Sequence, residues 1–166
     1  MGPWWIEAFR YHRWANMHLL DVCAKLSDEQ LQLSSPGTMG TIAATLTHLV
    51  AAEQRYLWRF DAEEPQLREK DGFPGIAVLR QHAVRSGDEF IERVGRLQGG
   101  TAGMAKLREG EREAPLAMIL VQALHHGNDH RTHVCTILGQ HDISYGDMDV
   151  WAYGEAIGAY QAPPEA

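Results

Sequence analysis

The stretch ILVQALHHGNDHRTHVCTI, residues 119–137, places several histidines on one face of a predicted helix. The members of that face follow one another in steps of three or four residues: Ile119, Ala123, His126, His130, His133 and Ile137. Residues at such steps share a helix face, and this one is apolar at both ends, so we predict that it points inward. An unpaired buried polar group costs roughly 1–3 kcal/mol. Imidazoles on an inward face therefore need a common partner.

A metal ion could be that partner. Histidines at positions i and i+4 of a helix can bind one ion, and His126 and His130 have that spacing, although without the glutamate of the HExxH protease motif. Of the remaining histidines, His48 is the best third ligand, since it lies mid-helix between the small residues Thr45 and Ala52. Three neutral imidazoles suit zinc, nickel, copper or iron better than magnesium or calcium. They also leave one coordination position open, as in catalytic metal sites.

The other histidines have several interpretations. A His-x-x-x-His pair can arise by chance on a helix surface. His133 is a fourth ligand, a hydrogen-bonding neighbour of the ligands or a packed core residue. His125 points about 100° away from the histidine face and is expected at the surface. His12 and Asn16 interrupt the apolar face of the first helix, so they either line the same cavity or satisfy each other.

Four long segments repeat apolar residues at helical spacing and are predicted as helices: 4–26, 40–60, 76–97 and 115–138. Ser27 and Gln30 form a capping-box pattern that predicts a short turn, and Gly139 is expected to end the last long helix. The charged segment 61–75 is predicted to be an exposed connection and 99–113 a loop. No segment shows convincing strand alternation. We expect one all-α domain over residues 1–166, a four-helix bundle with part of the tail from His141 packed on it.

Composition limits the classes of function. The 166 residues are 45% hydrophobic with a formal net charge of −7, and without a Lys/Arg-rich run a nucleic-acid partner is disfavoured. Two cysteines, Cys23 and Cys135, make no disulfide framework and suit a reducing cytoplasm. No secretory signal is visible, and no apolar stretch approaches the roughly 20 residues that span a bilayer. We therefore expect a cytoplasmic protein without a membrane partner.

Several motifs together resemble a known family, the DinB/YfiT-like metalloproteins, over nearly the whole chain. They stand in the family's order: YHRWAN at 11–16, TLTHLVAAE at 45–53, HGNDHR at 126–131 and DVWAY at 149–153. The resemblance implies a four-helix bundle with up-down-down-up connections, often dimeric. It also implies a nickel or zinc ion held by His48, His126 and His130. The family name refers to DNA-damage induction and implies no DNA binding.

One position departs from the family pattern. Where the family often has Gly-Gln after the His-Arg pair, this chain has Thr132-His133. A glutamine-like hydrogen bonder has thus become a histidine that could bind metal. This leaves the coordination number and the metal open.

Three functions compete. Characterised relatives include transferases and isomerases that use low-molecular-weight thiols such as bacillithiol or mycothiol. A coordinating thiol is deprotonated and its thiolate could attack a small electrophile, with His133 as the catalytic proton carrier or orienting group. Metal-activated water would support hydrolysis instead. The second function is a non-catalytic metal-binding stress-response protein in which His133 closes the coordination sphere, and the third is a structural bundle with incidental histidines.

Overall fold

The computed structural model describes residues 3–60, 62–97, 104–107 and 112–160. Four long helices dominate this part of the chain: α1 (Trp4–Cys23), α3 (Ile42–Trp58), α4 (Ile76–Gly95) and α5 (Leu116–Gln140). The shorter elements are α2 (Asp28–Leu31), a 3-10 turn (Glu69–Asp71), the strands β1 (Met104–Leu107) and β2 (Arg112–Pro115), and α6 (Val150–Ala156). The prediction of a mostly helical protein is confirmed.

Local sequence signals account for several helix starts. The Ser27 hydroxyl accepts a hydrogen bond from the backbone N–H of Gln30, whose side chain binds back to the N–H of Ser27, so the predicted capping box is present at α2. Thr41 caps α3 through its hydroxyl, which accepts a hydrogen bond from the backbone N–H of Ala44 at 3.1 Å. Both caps satisfy backbone donors that have no partner within the first turn of a helix.

The long helices pack so that α1 and α3 each contact both α4 and α5. One core cluster includes Leu19, Leu46, Leu79 and Val134. A second surrounds Phe9 and Phe90, whose rings stack with centroids 5.0 Å apart. Since α3 and α5 are neighbours, residues on their facing sides can form one site. The up-down-down-up order and the single domain over 1–166 stay predictions.

The segment predicted as a loop without strands contains an antiparallel hairpin. Its register pairs Met104 with Pro115 and Leu107 with Arg112. Strands of four residues are too short to show an alternating pattern, and their pairing depends on neighbours that local sequence does not specify. Pro115 was predicted as the first residue of the last long helix. It is instead the last residue of β2, and α5 begins at Leu116. The third long helix was predicted to reach residue 97, with Gly99-Gly100 ending it. Instead α4 ends at Gly95, and Gly99-Gly100 lie outside the described residues.

The C-terminal region also differs in detail. Gly139 does not end α5, which continues through Gln140, and the chain changes direction at Asp142, whose φ is 56°. The prediction that part of the tail packs on the body is confirmed, because Tyr153 of α6 is buried and its ring lies 6.0 Å from that of Tyr11. No helix in the described ranges combines the length and apolarity needed to cross a membrane.

Candidate metal centre

Three of the predicted ligands come together between α3 and α5. His48 lies on α3, and His126 and His130 lie one turn apart on α5. One ring nitrogen of each falls within 4.8 Å of the others, and Nε2 of His48 is 2.9 Å from Nε2 of His126. We call His48, His126 and His130 the histidine triad.

The triad is half-buried rather than deep in the core. Ile119 and Ile137 at the two ends of the predicted inward face are buried, and His130 is 9% exposed, but His48, His126 and His133 are only partly covered. Burial, reinforced by the neighbouring imidazoles, lowers the pKa of His126 to about 3 and that of His130 to about 4. Both rings are therefore neutral near pH 7 and keep a lone pair for a ligand.

An acidic residue that sequence reasoning did not find completes the surroundings of His48. Oε2 of Glu69 lies 2.8 Å from Nδ1 of His48, and Oε1 accepts a hydrogen bond from Arg55 at 2.5 Å. Burial raises the pKa of Glu69, but the bonds from His48 and Arg55 outweigh it, so the pKa lies below its usual value. Glu69 belongs to the segment 61–75 that was predicted as a mere exposed connection, and no local signal marked it.

That segment is held to the body by two observed contacts. The side chain of Gln54 accepts hydrogen bonds from the backbone N–H groups of Gln66 and Leu67 at 2.9 and 3.0 Å. Leu67 is buried, at 8% exposure, so the prediction of an exposed connection is wrong at this residue. These contacts bring Glu69 to the triad.

His133 lies beside the triad without joining it. Its ring centroid is 5.3 Å from that of His130, and its Nδ1 is buried with no hydrogen-bond partner among the described residues. Within the described part of the chain, the group of mutually close candidate ligand atoms consists of the triad and does not include His133. His133 thus has a free nitrogen close to the site.

Two other predictions need correction or refinement. The sequence favours a structural role for Asp129 and Arg131 in salt bridges with neighbouring residues. Asp129 is exposed and lies 3.7 Å from the exposed His125, whose surface position was predicted. Arg131 is buried at 5% exposure and donates to Oδ1 of Asn16 at 2.7 Å. His12 and Asn16 do lie together as predicted, but both also bind Glu53, a partner the sequence did not indicate.

A cavity of about 480 Å³ adjoins the triad through Glu69. Charged side chains line it, four of them cationic and two acidic: Arg55, Arg59, Arg68, Lys70, Glu64 and Glu69. This is a local excess of positive charge on a chain whose formal net charge is −7. It favours small anionic ligands close to the triad.

The triad fits a divalent metal ion on two observations. Three nitrogens bound at about 2.0–2.1 Å to a tetrahedral ion lie roughly 3.3 Å from one another. In the triad one nitrogen of each ring lies within 4.8 Å of the others, and Nε2 of His48 is 2.9 Å from Nε2 of His126. Nδ1 of His130 is buried without a hydrogen-bond partner in the described part of the chain, so this ring has a nitrogen to offer. Neutral imidazoles suit zinc, nickel, copper or iron.

The fold and the site together define a class: a mostly helical protein with a three-histidine cluster between two neighbouring helices. The DinB family model matches residues 1–156, and the chain belongs to the DinB family. No curated protein matches the chain. The chain is also similar to a DinB-like protein from Bacillus cereus ATCC 10987, whose crystal structure was determined at 2.01 Å. The two share 18% identity at a TM-score of 0.69, covering 86% of this chain and 94% of the other, which shows a common fold.

Proposed function

We propose that the protein holds one divalent metal ion, zinc or nickel, through His48, His126 and His130, and uses it in a thiol transfer or isomerisation. The observation that carries the proposal is the approach of three imidazole nitrogens from two helices to within 4.8 Å of one another. The hydrogen bond that Nδ1 of His48 donates to Glu69 supports it, because metal-binding histidines commonly donate their second ring N–H to a carboxylate. Three protein ligands leave a coordination position open.

A divalent ion at this site would lower the pKa of a thiol or a water molecule bound beside the three imidazoles. In the transferase reaction, the thiol sulfur forms a bond to an electrophilic carbon and the leaving group departs with the electrons of the bond that breaks. The thiol proton goes to His133, whose Nδ1 is buried without a partner among the described residues. His133 is thus the proposed catalytic acid–base residue.

The cavity beside Glu69 supports a small-molecule substrate. Its volume of about 480 Å³ would accommodate a low-molecular-weight thiol or a small electrophile. Arg68 and Lys70 on its wall would attract a carboxylate or phosphate group on either molecule. Thiols such as bacillithiol or mycothiol remain the proposed class of co-substrate.

Two alternatives share the same centre. Hydrolysis would use a metal-activated water in place of the thiol, with His133 again handling the proton. A non-catalytic, stress-response metal binder would need His133 to close the coordination sphere. The absence of His133 from the group of mutually close ligand atoms in the described residues favours a site with an open position.

Finer features belong to the proposal. The up-down-down-up order of the bundle, a homodimer and the choice of zinc or nickel follow from the family resemblance, and a cytoplasmic location follows from the cysteine content. Sedimentation of the purified protein tests the dimer, and elemental analysis of untagged protein tests the metal.

The decisive experiment combines metal analysis with turnover. Untagged protein is expected to carry about one metal ion per chain and to be stabilised by added zinc or nickel. The loaded protein is then assayed with small thiols plus a panel of electrophiles, and with hydrolysable amides. His133→Gln is expected to keep the metal and lose about a hundredfold or more in turnover, whereas His125→Gln should retain both. Protein without stoichiometric metal and without a stability gain would overturn the proposal.

A further inference from the structure

Beside the triad, about 100° around α5 from the ligands, lies a cluster of four polar side chains that no part of the proposed chemistry uses. They are nearly inaccessible to solvent: His12 at 1%, Asn16 at 2%, Glu53 at 2% and Arg131 at 5% exposure. We call them the buried polar network. It joins three helices, since His12 and Asn16 lie on α1, Glu53 on α3 and Arg131 on α5.

The hydrogen bonds of the network have one consistent assignment. Arg131 only donates, to Oδ1 of Asn16 at 2.7 Å and to Nδ1 of His12 at 3.3 Å. Nδ1 of His12 is therefore an acceptor, and Nε2 carries the proton and donates to Oε1 of Glu53 at 2.7 Å. Asn16 donates to the same oxygen at 2.6 Å. In this assignment the 3.3 Å contact between Nδ2 of Asn16 and Nε2 of His12 is not a hydrogen bond, because both nitrogens are donors. A chain of directed bonds thus runs from α5 through α1 to α3.

Residues that contact the network are direct sequence neighbours of two triad ligands. Arg131 directly follows His130, and Gly127 directly follows His126, so the same turn of α5 presents the ligands and, about 100° around the helix, the contacts with the network. A Cβ at Gly127 would overlap Cε1 of His12 and lie 2.8 Å from its Nδ1. The absence of a side chain at Gly127 is what lets this turn of α5 approach His12 so closely. Glu53 of the network and His48 of the triad both lie on α3.

We propose that His12, Asn16, Glu53 and Arg131 are positioning residues for the metal centre, holding α5 against α3 so that His126 and His130 meet His48 at ligand distance. The inference rests on the proposed function for its metal and on the observed contacts for its geometry. If the network only stabilised the fold, a network variant and a core variant would change the triad equally. If it positions the triad, a network variant changes the geometry of the triad, whereas a core variant lowers stability and leaves that geometry unchanged.

The test compares Glu53→Gln and Arg131→Met with Leu79→Ala, a core truncation on α4 in the first core cluster. Affinities for zinc and the visible spectrum of the cobalt-loaded protein are measured on folded samples. Both network variants are expected to bind zinc about tenfold or more weaker and to change the cobalt bands. Leu79→Ala should lose stability but keep its affinity within about twofold, as independent sites do. Unchanged affinity and spectrum in the network variants, or an equal loss in Leu79→Ala, would overturn the proposal.

A metal-free readout separates this inference from the proposed function. Imidazole nitrogen NMR signals of the triad are recorded without metal in each variant. If the parent chain binds no metal, the proposed function fails. The positioning of the triad by the network is then supported if the network variants shift these signals and Leu79→Ala does not. It is contradicted if the network variants leave the signals unchanged. Asn16→Ala keeps both charged groups and replaces any network variant that does not fold, with the same direction of change expected.

Discussion

Glu69 accepts a hydrogen bond from Nδ1 of His48 at 2.8 Å. The bonds from His48 and Arg55 hold the pKa of Glu69 below its usual value despite its partial burial, so near pH 7 it is a carboxylate that can only accept. Nδ1 of His48 therefore carries the proton, and Nε2, which faces His126 at 2.9 Å, carries the lone pair. A residue from an irregular segment thus sets which nitrogen of His48 is available to a metal.

The first prediction concerns this bond. Glu69→Gln removes the charge but little volume, so the tautomer and orientation of His48 are no longer enforced. We expect metal affinity to fall about 10–100-fold, as for other carboxylates behind a histidine ligand. Isothermal titration of metal-free protein with zinc measures it. Glu64→Gln, an exposed residue of the same segment, is the control, and equal affinities in both variants would refute the role of Glu69.

The second prediction concerns the ligands. His48→Ala or His130→Ala leaves two imidazoles, which hold an ion poorly, so the stabilisation by metal should disappear. In the parent protein this stabilisation is about 2.7 kcal/mol at a free metal concentration of 100 Kd. Thermal unfolding with and without zinc measures it. His125→Ala, on the exposed side of α5, should respond to zinc as the parent does; a parental response in the triad variants would exclude the site.

The third prediction concerns pH. In the folded, metal-free protein the pKa of His126 is about 3 and that of His130 about 4, against an ordinary value of 6.5. Between those values and 6.5 the unfolded chain binds protons that the folded protein does not, so protonation favours unfolding. Stability should therefore be fully present above about pH 6.5 and decline as the pH falls towards 4.

Urea unfolding in the presence of a chelator, at about pH 7 and about pH 5, tests this decline. Other groups titrate in the same window, so the comparison is with His126→Gln/His130→Gln. The double variant should lose less stability on acidification than the parent does. An identical loss in both proteins would show that these two imidazoles contribute nothing to it.

The fourth prediction compares two glycines of α5. Gly127→Ala should destabilise the protein by roughly 1–3 kcal/mol, because its Cβ would overlap the buried His12 ring. Gly139→Ala meets its nearest atom, in Tyr145, at 3.7 Å, which is ordinary contact. There the higher helix propensity of alanine should stabilise the protein by up to about 1 kcal/mol. The urea midpoints of both variants measure these changes. An unchanged midpoint in Gly127→Ala would show that α5 has room for a Cβ beside the His12 ring.

Periodicity alone located the four long helices to within a few residues, because apolar spacing and caps are local properties. The same locality brings His126 and His130 together, since positions four apart on a helix always share a face. Capping at Ser27 was equally predictable from Gln30 three residues later. The resemblance of the motifs to the DinB family agrees with the family that matches residues 1–156.

Long-range partners were beyond such reasoning. Glu69 contacts His48 from a segment that Gln54 holds by its side chain, and Arg131 pairs with Asn16 across 115 positions rather than with a near neighbour. The hairpin of β1 and β2 depends in the same way on contacts between distant backbone groups. Helical spacing predicts which side chains share a face of one helix. Which face of another helix packs against it depends on the packing of the whole chain. For that reason the ligand pair on α5 was visible in the sequence, whereas the carboxylate behind His48 and the buried polar network emerged only from the folded arrangement.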